Sequence, residues 1–270
     1  MSANIFTGGL IGAAPTNFYG LWGVDLPGVT YRQFYDPGEY KTEALSDSPL
    51  GLWMLDDLSG TVCDDSAGSY DLTYVNSPRL NCLGASFNIP TSVEWAGTDQ
   101  RATTTDSATY NAAASSAWSM EAWIAWTSTS LTLSFLTVRN SNGNANEITG
   151  ILIANFATAG TLTAFTWNAA NTASITVTSG GGYNDGKWHH VVATAASGGS
   201  MILYVDGVNV GSSAAGRNAT ATNRSVTIGA NRTTGNTFLQ FFPGYLAGCA
   251  YYSTALSATV VTDHYNAGKP

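Results

Sequence analysis

The sequence predicts an all-β chain folded as an antiparallel two-sheet sandwich. About a dozen short runs rich in aromatic and β-branched residues recur roughly every ten residues, separated by Gly, Asn, Asp or Ser, which is the rhythm of a sandwich. Between Leu203-Tyr-Val and Val208-Asn-Val stands Asp206-Gly207, the pair that supplies the positive φ angles of a two-residue type I′ hairpin turn. Ala117-Trp-Ser-Met-Glu-Ala-Trp-Ile-Ala-Trp alternates, so Trp118, Met120, Ala122 and Ile124 share one face of a strand.

The elements follow in order. Residues 1–46 combine Gly8-Gly9, Pro15, Pro27-Gly28 and Pro37-Gly38 with isolated aromatics, and neither a 3.6 nor a 2.0 period runs through them. Such aromatic content argues against a freely solvated tail. The expectation is an extended, irregular arm that docks through Phe18, Tyr19, Trp22, Tyr31, Phe34 and Tyr35 on this domain or on a neighbouring subunit. The sandwich then spans 47–270. Its strands are expected within 49–62, at 72–74, around 85–88 and 93–96, and at 117–126, 131–138, 150–156, 161–167 and 174–178. Others follow at 188–195, 201–205, 208–210, 225–230 and 244–252. Ser257 is placed to cap a short closing helix whose apolar stripe is Val260, Val261 and Tyr265.

Composition excludes several classes. Charged residues are 10% of the chain and its net charge is −8, with Lys and Arg scattered singly. A nucleic-acid partner is therefore not expected, because its sequence-independent affinity comes from clustered cations. No apolar run reaches the 18 or more residues of a membrane-spanning helix. The first residues lack the basic and apolar segments of a secretion signal. Cys63, Cys82 and Cys249 read either as buried reduced thiols or as a Cys63–Cys82 bridge with one thiol left over.

Asp185-Gly-Lys-Trp-His-His-Val-Val, followed by Leu203-Tyr-Val-Asp-Gly, resembles the centre of laminin-G-like domains, which belong to the concanavalin A-like lectin/glucanase jelly rolls. Pro49-Leu-Gly-Leu-Trp-Met-Leu-Asp-Asp-Leu-Ser-Gly resembles that family's opening strand. Ser253-Thr-Ala-Leu-Ser, ending in His264-Tyr-Asn-Ala-Gly, resembles its close. The resemblance covers about residues 47–268 and is weakest over 130–180. It implies an antiparallel jelly roll with a short C-terminal helix, of a kind found in the minor tail and other virion proteins of tailed bacteriophages.

Some relatives on this fold are glucanases, and retaining glycosidases need two carboxylates about 5–5.5 Å apart, that is, at alternate positions of one strand. The family's E-x-D-x-E strand has no counterpart here. Glu94, Glu121, Glu147 and Asp206 stand alone, and Asp56-Asp57 and Asp64-Asp65 are adjacent pairs at a turn. No catalytic residue is assigned. His189 and His190 point to opposite faces if extended; one is expected to pack in the sandwich and the other to hydrogen-bond at its surface. Many relatives hold Ca²⁺ through carboxylates at the sheet rim. Asp65, Asp99, Asp185 and Asp206 are the candidate ligands, although Gly244-Tyr-Leu-Ala-Gly-Cys lacks both acids of the corresponding family strand, so no cofactor is expected.

The resulting expectation is a non-enzymatic structural protein of a tailed-phage virion, a minor tail or decoration subunit, made without a signal peptide. Its arm would grip other virion subunits, and the chain would form a homo-oligomer. Its jelly roll would contact host surface polysaccharide, with Trp126 and Trp167 as candidate sugar platforms. A freestanding glycan-binding module is the alternative, and a glucanase-like hydrolase is a second.

Overall fold

The computed structural model of the chain describes residues 39–68, 70–105, 117–140, 148–167, 173–213, 224–233 and 236–270. All belong to one unit, Pro37–Pro270. The arm residues Phe18, Tyr19, Trp22, Tyr31, Phe34 and Tyr35 lie outside the described residues.

Two eight-stranded antiparallel sheets are formed among the described residues. The first runs β14 (Val208–Ser212), β13 (Met201–Val205), β12 (His189–Ala195), β7 (Trp118–Ala125), β18 (Pro243–Tyr252), β5 (Ile89–Ala96), β4 (Arg79–Ser86), with β1 (Gly51–Trp53) also paired to β18. The second runs β11 (Ser174–Thr178), β10 (Leu162–Trp167), β9 (Ile148–Ala154), β8 (Leu133–Asn140), β15 (Arg224–Ile228), β6 (Arg101–Thr103), β3 (Leu72–Val75), β2 (Val62–Cys63). A two-residue pairing of β16 (Asn231–Arg232) with β17 (Phe238–Leu239) lies outside both sheets and was not expected from sequence. Helix α1 spans Glu39–Ser46 and helix α2 spans Ala258–Gly268.

Strand β7 shows why the sandwich forms. Trp118, Met120, Ala122 and Ile124 enter the main core between the sheets, as the alternation predicts, beside Trp53, Trp95, Phe135 and Leu203. The other face of β7 is buried as well. Trp123 joins a second core under the two helices, with Tyr40 and Ala44 of α1, Val261 and Ala267 of α2, and Tyr252. Burying a large apolar side chain contributes about 1.5–3 kcal/mol, so a strand covered on both faces is a principal anchor of the fold.

The hairpin turn has the expected conformation, with φ +52° at Asp206 and +77° at Gly207. Ser257 caps α2, its Oγ accepting from Val260 N at 3.3 Å. The buried stripe of α2 is Val261, His264 and Ala267, so the helix is rotated from the apolar reading by a histidine that faces inward. The first segment differs too. Residues 39–46 are helical rather than extended, and Tyr40, fully buried, ties them to the sandwich. Gly248, at φ +52°, sits in an irregularity of β18 against the Tyr40 ring, where a Cβ would lie 2.6 Å from Tyr40 Cε1. That approach needs glycine.

Among the described residues the three cysteines are free and buried. Among the described residues, no helix is long and apolar enough to cross a membrane.

Candidate functional site

A dense polar cluster is centred on Glu121, on the face of β7 that meets the helices. Its Oε1 accepts from Tyr40 Oη at 2.7 Å and lies 2.8 Å from His190 Nε2. Its Oε2 accepts from Tyr252 Oη at 3.1 Å and lies 2.9 Å from His264 Nδ1. His264 Nε2 reaches Asp47 Oδ2 at 3.0 Å. Burial pushes the Glu121 pKa up, but the His264 charge and the hydrogen bonds from both imidazoles outweigh it and hold the group well below the usual carboxylate range. Burial lowers the His264 pKa, yet Glu121 and Asp47 together push it up to about 9. The Tyr40 and Tyr252 hydroxyls are held neutral by burial and the Glu121 charge. Trp123 stacks on His190, ring centroids 4.8 Å apart, and seals the cluster. Glu121, His190 and His264 have no exposed side-chain surface, so no external substrate reaches them. The cluster fixes α1 and α2 to the sheet.

His189 and His190 divide as expected between surface and interior. His189 Nδ1 lies 2.8 Å from Asp206 Oδ2 and its Nε2 lies 3.2 Å from Asp185 Oδ1. Asp206 Oδ1 also accepts from His190 N at 2.9 Å, and Asp185 Oδ1 from Lys187 N at 2.9 Å. The two aspartates of the central sequence motif thus clasp one imidazole and close its turn.

The candidate Ca²⁺ ligands do not converge as a set of four. Asp185 and Asp206 meet at His189. Asp65, buried, accepts from the backbone N–H groups of Leu52, Ala67 and Tyr70 at 2.9, 3.0 and 3.2 Å, so its lone pairs are committed to a turn. Asp99 is exposed in the loop before β6, and its carbonyl accepts from Arg101 Nη1 and Asn76 Nδ2. Among the described residues, no group of three or more His, Cys, Asp or Glu is arranged to hold a metal ion.

Trp126 is no sugar platform. It is 2% exposed in the main core, and its Nε1 donates to Asn155 Oδ1 at 3.2 Å. Its burial continues the alternation of Trp118, Met120, Ala122 and Ile124, which already pointed position 126 into the core. Trp167 ends β10, paired with Ser174, and its side chain lies outside the described set.

An open groove of about 350 Å³ lies instead over the outer face of β3 and β6, lined by Thr73, Thr103, Thr104, Thr105, Arg232, Asn236 and Phe238. Thr73 and Thr103 point outward because their neighbours Leu72 and Ala102 enter the core. Arg232 is positioned by Nη1 donating to Thr104 O at 3.2 Å and Nε donating to Asn236 Oδ1 at 3.0 Å. Arg101 lies 3.9 Å over the Phe238 ring. The groove offers hydroxyls, an amide, a guanidinium and one aromatic face, and no acid lines it among the described residues. It was not legible in the sequence because its parts come from two strands, β3 and β6, and the short β16–β17 hairpin, with no apolar period.

The chain is similar to the binding domain of Paraclostridial Mosquitocidal Protein 1, with 13% identity and a TM-score of 0.61 over 82% of this chain and 52% of that one. It is similar to the binding domain of botulinum neurotoxin serotype D/C, with 13% identity and a TM-score of 0.60 over 83% and 53% of the two chains. The binding domain of botulinum neurotoxin DC in complex with SialylT gives 14% identity and a TM-score of 0.57 over 83% and 52%. The chain therefore spans about half the length of these structures, and at such identity the likeness is one of fold. A search of curated proteins finds no match. A model of the concanavalin A-like lectin/glucanases superfamily matches residues 96–262, more than half of the sequence. With two packed antiparallel sheets around one core, the chain belongs to the concanavalin A-like lectin/glucanase superfamily.

Proposed function

We propose that this chain is a non-enzymatic, glycan-binding jelly roll carried on a tailed-phage particle, with the residues ahead of α1 serving as its attachment to other virion subunits. The groove over β3 and β6 carries the glycan reading. Ligand sites are typically concave, about 300–1,000 Å³, and combine an apolar surface with a few placed polar groups. Phe238 offers a ring face, and Thr73, Thr103 and Asn236 offer the hydroxyl and amide groups that pair with sugar hydroxyls. A similar jelly roll in complex with SialylT agrees with this reading.

A binding rather than hydrolytic role is supported by the state of the acids. Glu121 is sealed under the helices, Glu94 is paired with Arg79, and Asp206 is committed to His189 and a backbone N–H. The virion assignment rests on the Gly- and aromatic-rich sequence of residues 1–38, together with the resemblance to tail proteins.

The test is retention of the full-length chain on immobilised neutral and acidic polysaccharides, with reducing sugar measured alongside. Retention weakened by Thr73→Val or Phe238→Ala, without sugar release, is the expected result. Release that disappears in one Glu→Gln variant overturns the non-enzymatic reading. Mass spectrometry of purified particles tests the virion assignment, and its absence from them overturns that part.

A further inference from the structure

A second surface on the opposite sheet has the chemistry of a sugar platform. On the face of the first sheet that carries α1 and α2, four neighbouring strands bring one row of side chains into register. Tyr245 of β18 pairs with Ala125 of β7 on one side and with Glu94 of β5 on the other. Glu94 pairs in turn with Arg79 of β4. Trp188 precedes β12, where His189 lies opposite Ile124, so it falls level with Ala125 and reaches Tyr245 across that small residue, ring centroids 6.4 Å apart. The Tyr245 hydroxyl donates to Glu94 Oε1 at 3.1 Å, and Arg79 Nη1 donates to Glu94 Oε2 at 2.9 Å.

The Arg79–Glu94 end of this row adds little to the fold. Arg79 is 75% and Glu94 34% exposed, and exposed ion pairs contribute little to stability. Trp188 and Tyr245 are half-buried, each keeping part of its ring in solvent. Elsewhere on that face Trp123, Val192, Ala247 and Tyr252 pack under the helices. An aromatic pair therefore stands partly exposed beside a carboxylate and a guanidinium on this face.

We infer that this row is a binding site for an uncharged saccharide chain, and this rests on the glycan-binding reading above while assigning a different surface. A pyranose has an apolar C–H face and an edge of hydroxyls that both donate and accept. Trp188 and Tyr245 match the first. The Glu94 carboxylate accepts and the Arg79 guanidinium donates, so side by side they match two adjacent hydroxyls. Their opposite charges neutralise each other, so an acidic sugar gains no net attraction here. The row extends across strands spaced about 4.8 Å apart, so it runs longer than one ring and suits a polymer rather than a monosaccharide.

The experiment is affinity electrophoresis of the full chain in gels containing dextran or mixed-linkage β-glucan as neutral probes and hyaluronan as the acidic one. Wild type is expected to be retarded by a neutral polymer, and Trp188→Ala, Tyr245→Ala and Glu94→Gln to weaken this about tenfold or more, the loss of one good contact. Trp188 also packs against the second core, so melting is measured in parallel, and Glu94→Gln and Arg79→Ala decide if Trp188→Ala does not fold. Retardation by neutral polymer that survives all row variants but falls with Phe238→Ala overturns this inference and leaves the groove standing. Retardation by hyaluronan alone overturns it likewise. Retardation by no polymer overturns both readings.

Discussion

Glu121 Oε2 and His264 Nδ1 lie 2.9 Å apart, 143 residues separate them in sequence, and both side chains are fully sealed from solvent. Strand β7 and helix α2 are joined there by a charged contact with no room to relax. Removing one partner leaves the other buried without compensation, which costs about 3–5 kcal/mol. Glu121→Gln is expected to lower the unfolding free energy by that amount, read as a lower urea midpoint at unchanged slope. Tyr40→Phe, which removes one of the hydroxyls bonded to Glu121, should cost about 1–2 kcal/mol. A Glu121→Gln protein as stable as wild type would refute the anchoring role.

The same pair sets a pH profile. His264 is raised from 6.5 to about 9, so its contribution is complete below pH 6.5 and is lost as pH rises through about 9. Glu121 is depressed from 4.5, so its contribution is present above that value and is lost as pH falls below it. Stability is therefore expected to be highest between pH 4.5 and 6.5 and to decline on both sides. His189, also raised by Asp206 and Asp185 against its burial, adds to the alkaline limb. His264→Gln should flatten most of that limb in melts taken from pH 5 to 10. An unchanged alkaline limb would remove His264 as its source.

Gly207 is held at φ +77°, and a Cβ there would lie 3.1 Å from Tyr265 Cδ1 of α2. Gly207→Val thus strains the turn and pushes on the helix. The expected loss is about 1–3 kcal/mol, the cost of a side chain in a sparsely allowed conformation. Thermal melting checks it, and a variant that melts with wild type would contradict the turn geometry.

Because Tyr40 belongs to the sandwich, the place of truncation matters. Removal of residues 1–38 is expected to leave the melting curve of the jelly roll nearly unchanged. Removal of 1–46 takes Tyr40 and Ala44 from the second core and a hydrogen bond from Glu121, and should cost several kcal/mol, of the order of a large-to-small core substitution. Equal melting of the two truncations would place α1 outside the core.

Trp126→Phe removes the donor to Asn155 Oδ1, which also accepts from Gly160 N at 2.7 Å. It should cost about 1–2 kcal/mol and leave polysaccharide retention unchanged. Weakened retention at full stability would restore Trp126 as a ligand contact.

What the sequence made legible was local. The alternation from Trp118 to Ile124, the Asp206-Gly207 turn and the Ser257 cap each rest on neighbours in the chain, and each stands in the fold where it was expected. The hub was not legible, because Tyr40, Glu121, His190, Tyr252 and His264 come from five separate elements. One signal was present: a lone Glu inside the apolar run of β7, whose alternate face must itself be covered to be buried. Asp65 read as a metal ligand because a carboxylate that closes a turn has the same residue type and spacing as one that binds a cation. The row from Trp188 to Arg79 needed the register of β18, which is set by its irregularity at Gly248 and by no periodic pattern.

The docking of α1 also defines a mechanical path. Tension arriving at Glu39 from the preceding residues meets Tyr40, whose hydroxyl bonds both Glu121 and the Gly248 carbonyl, so the pull is divided between β7 and β18. Asp47, just beyond the helix, holds His264, which brings α2 under the same load. The strain is spread over interior strands rather than peeled from a sheet edge. A load entering the jelly roll at α1 would thus be borne without unzipping it strand by strand.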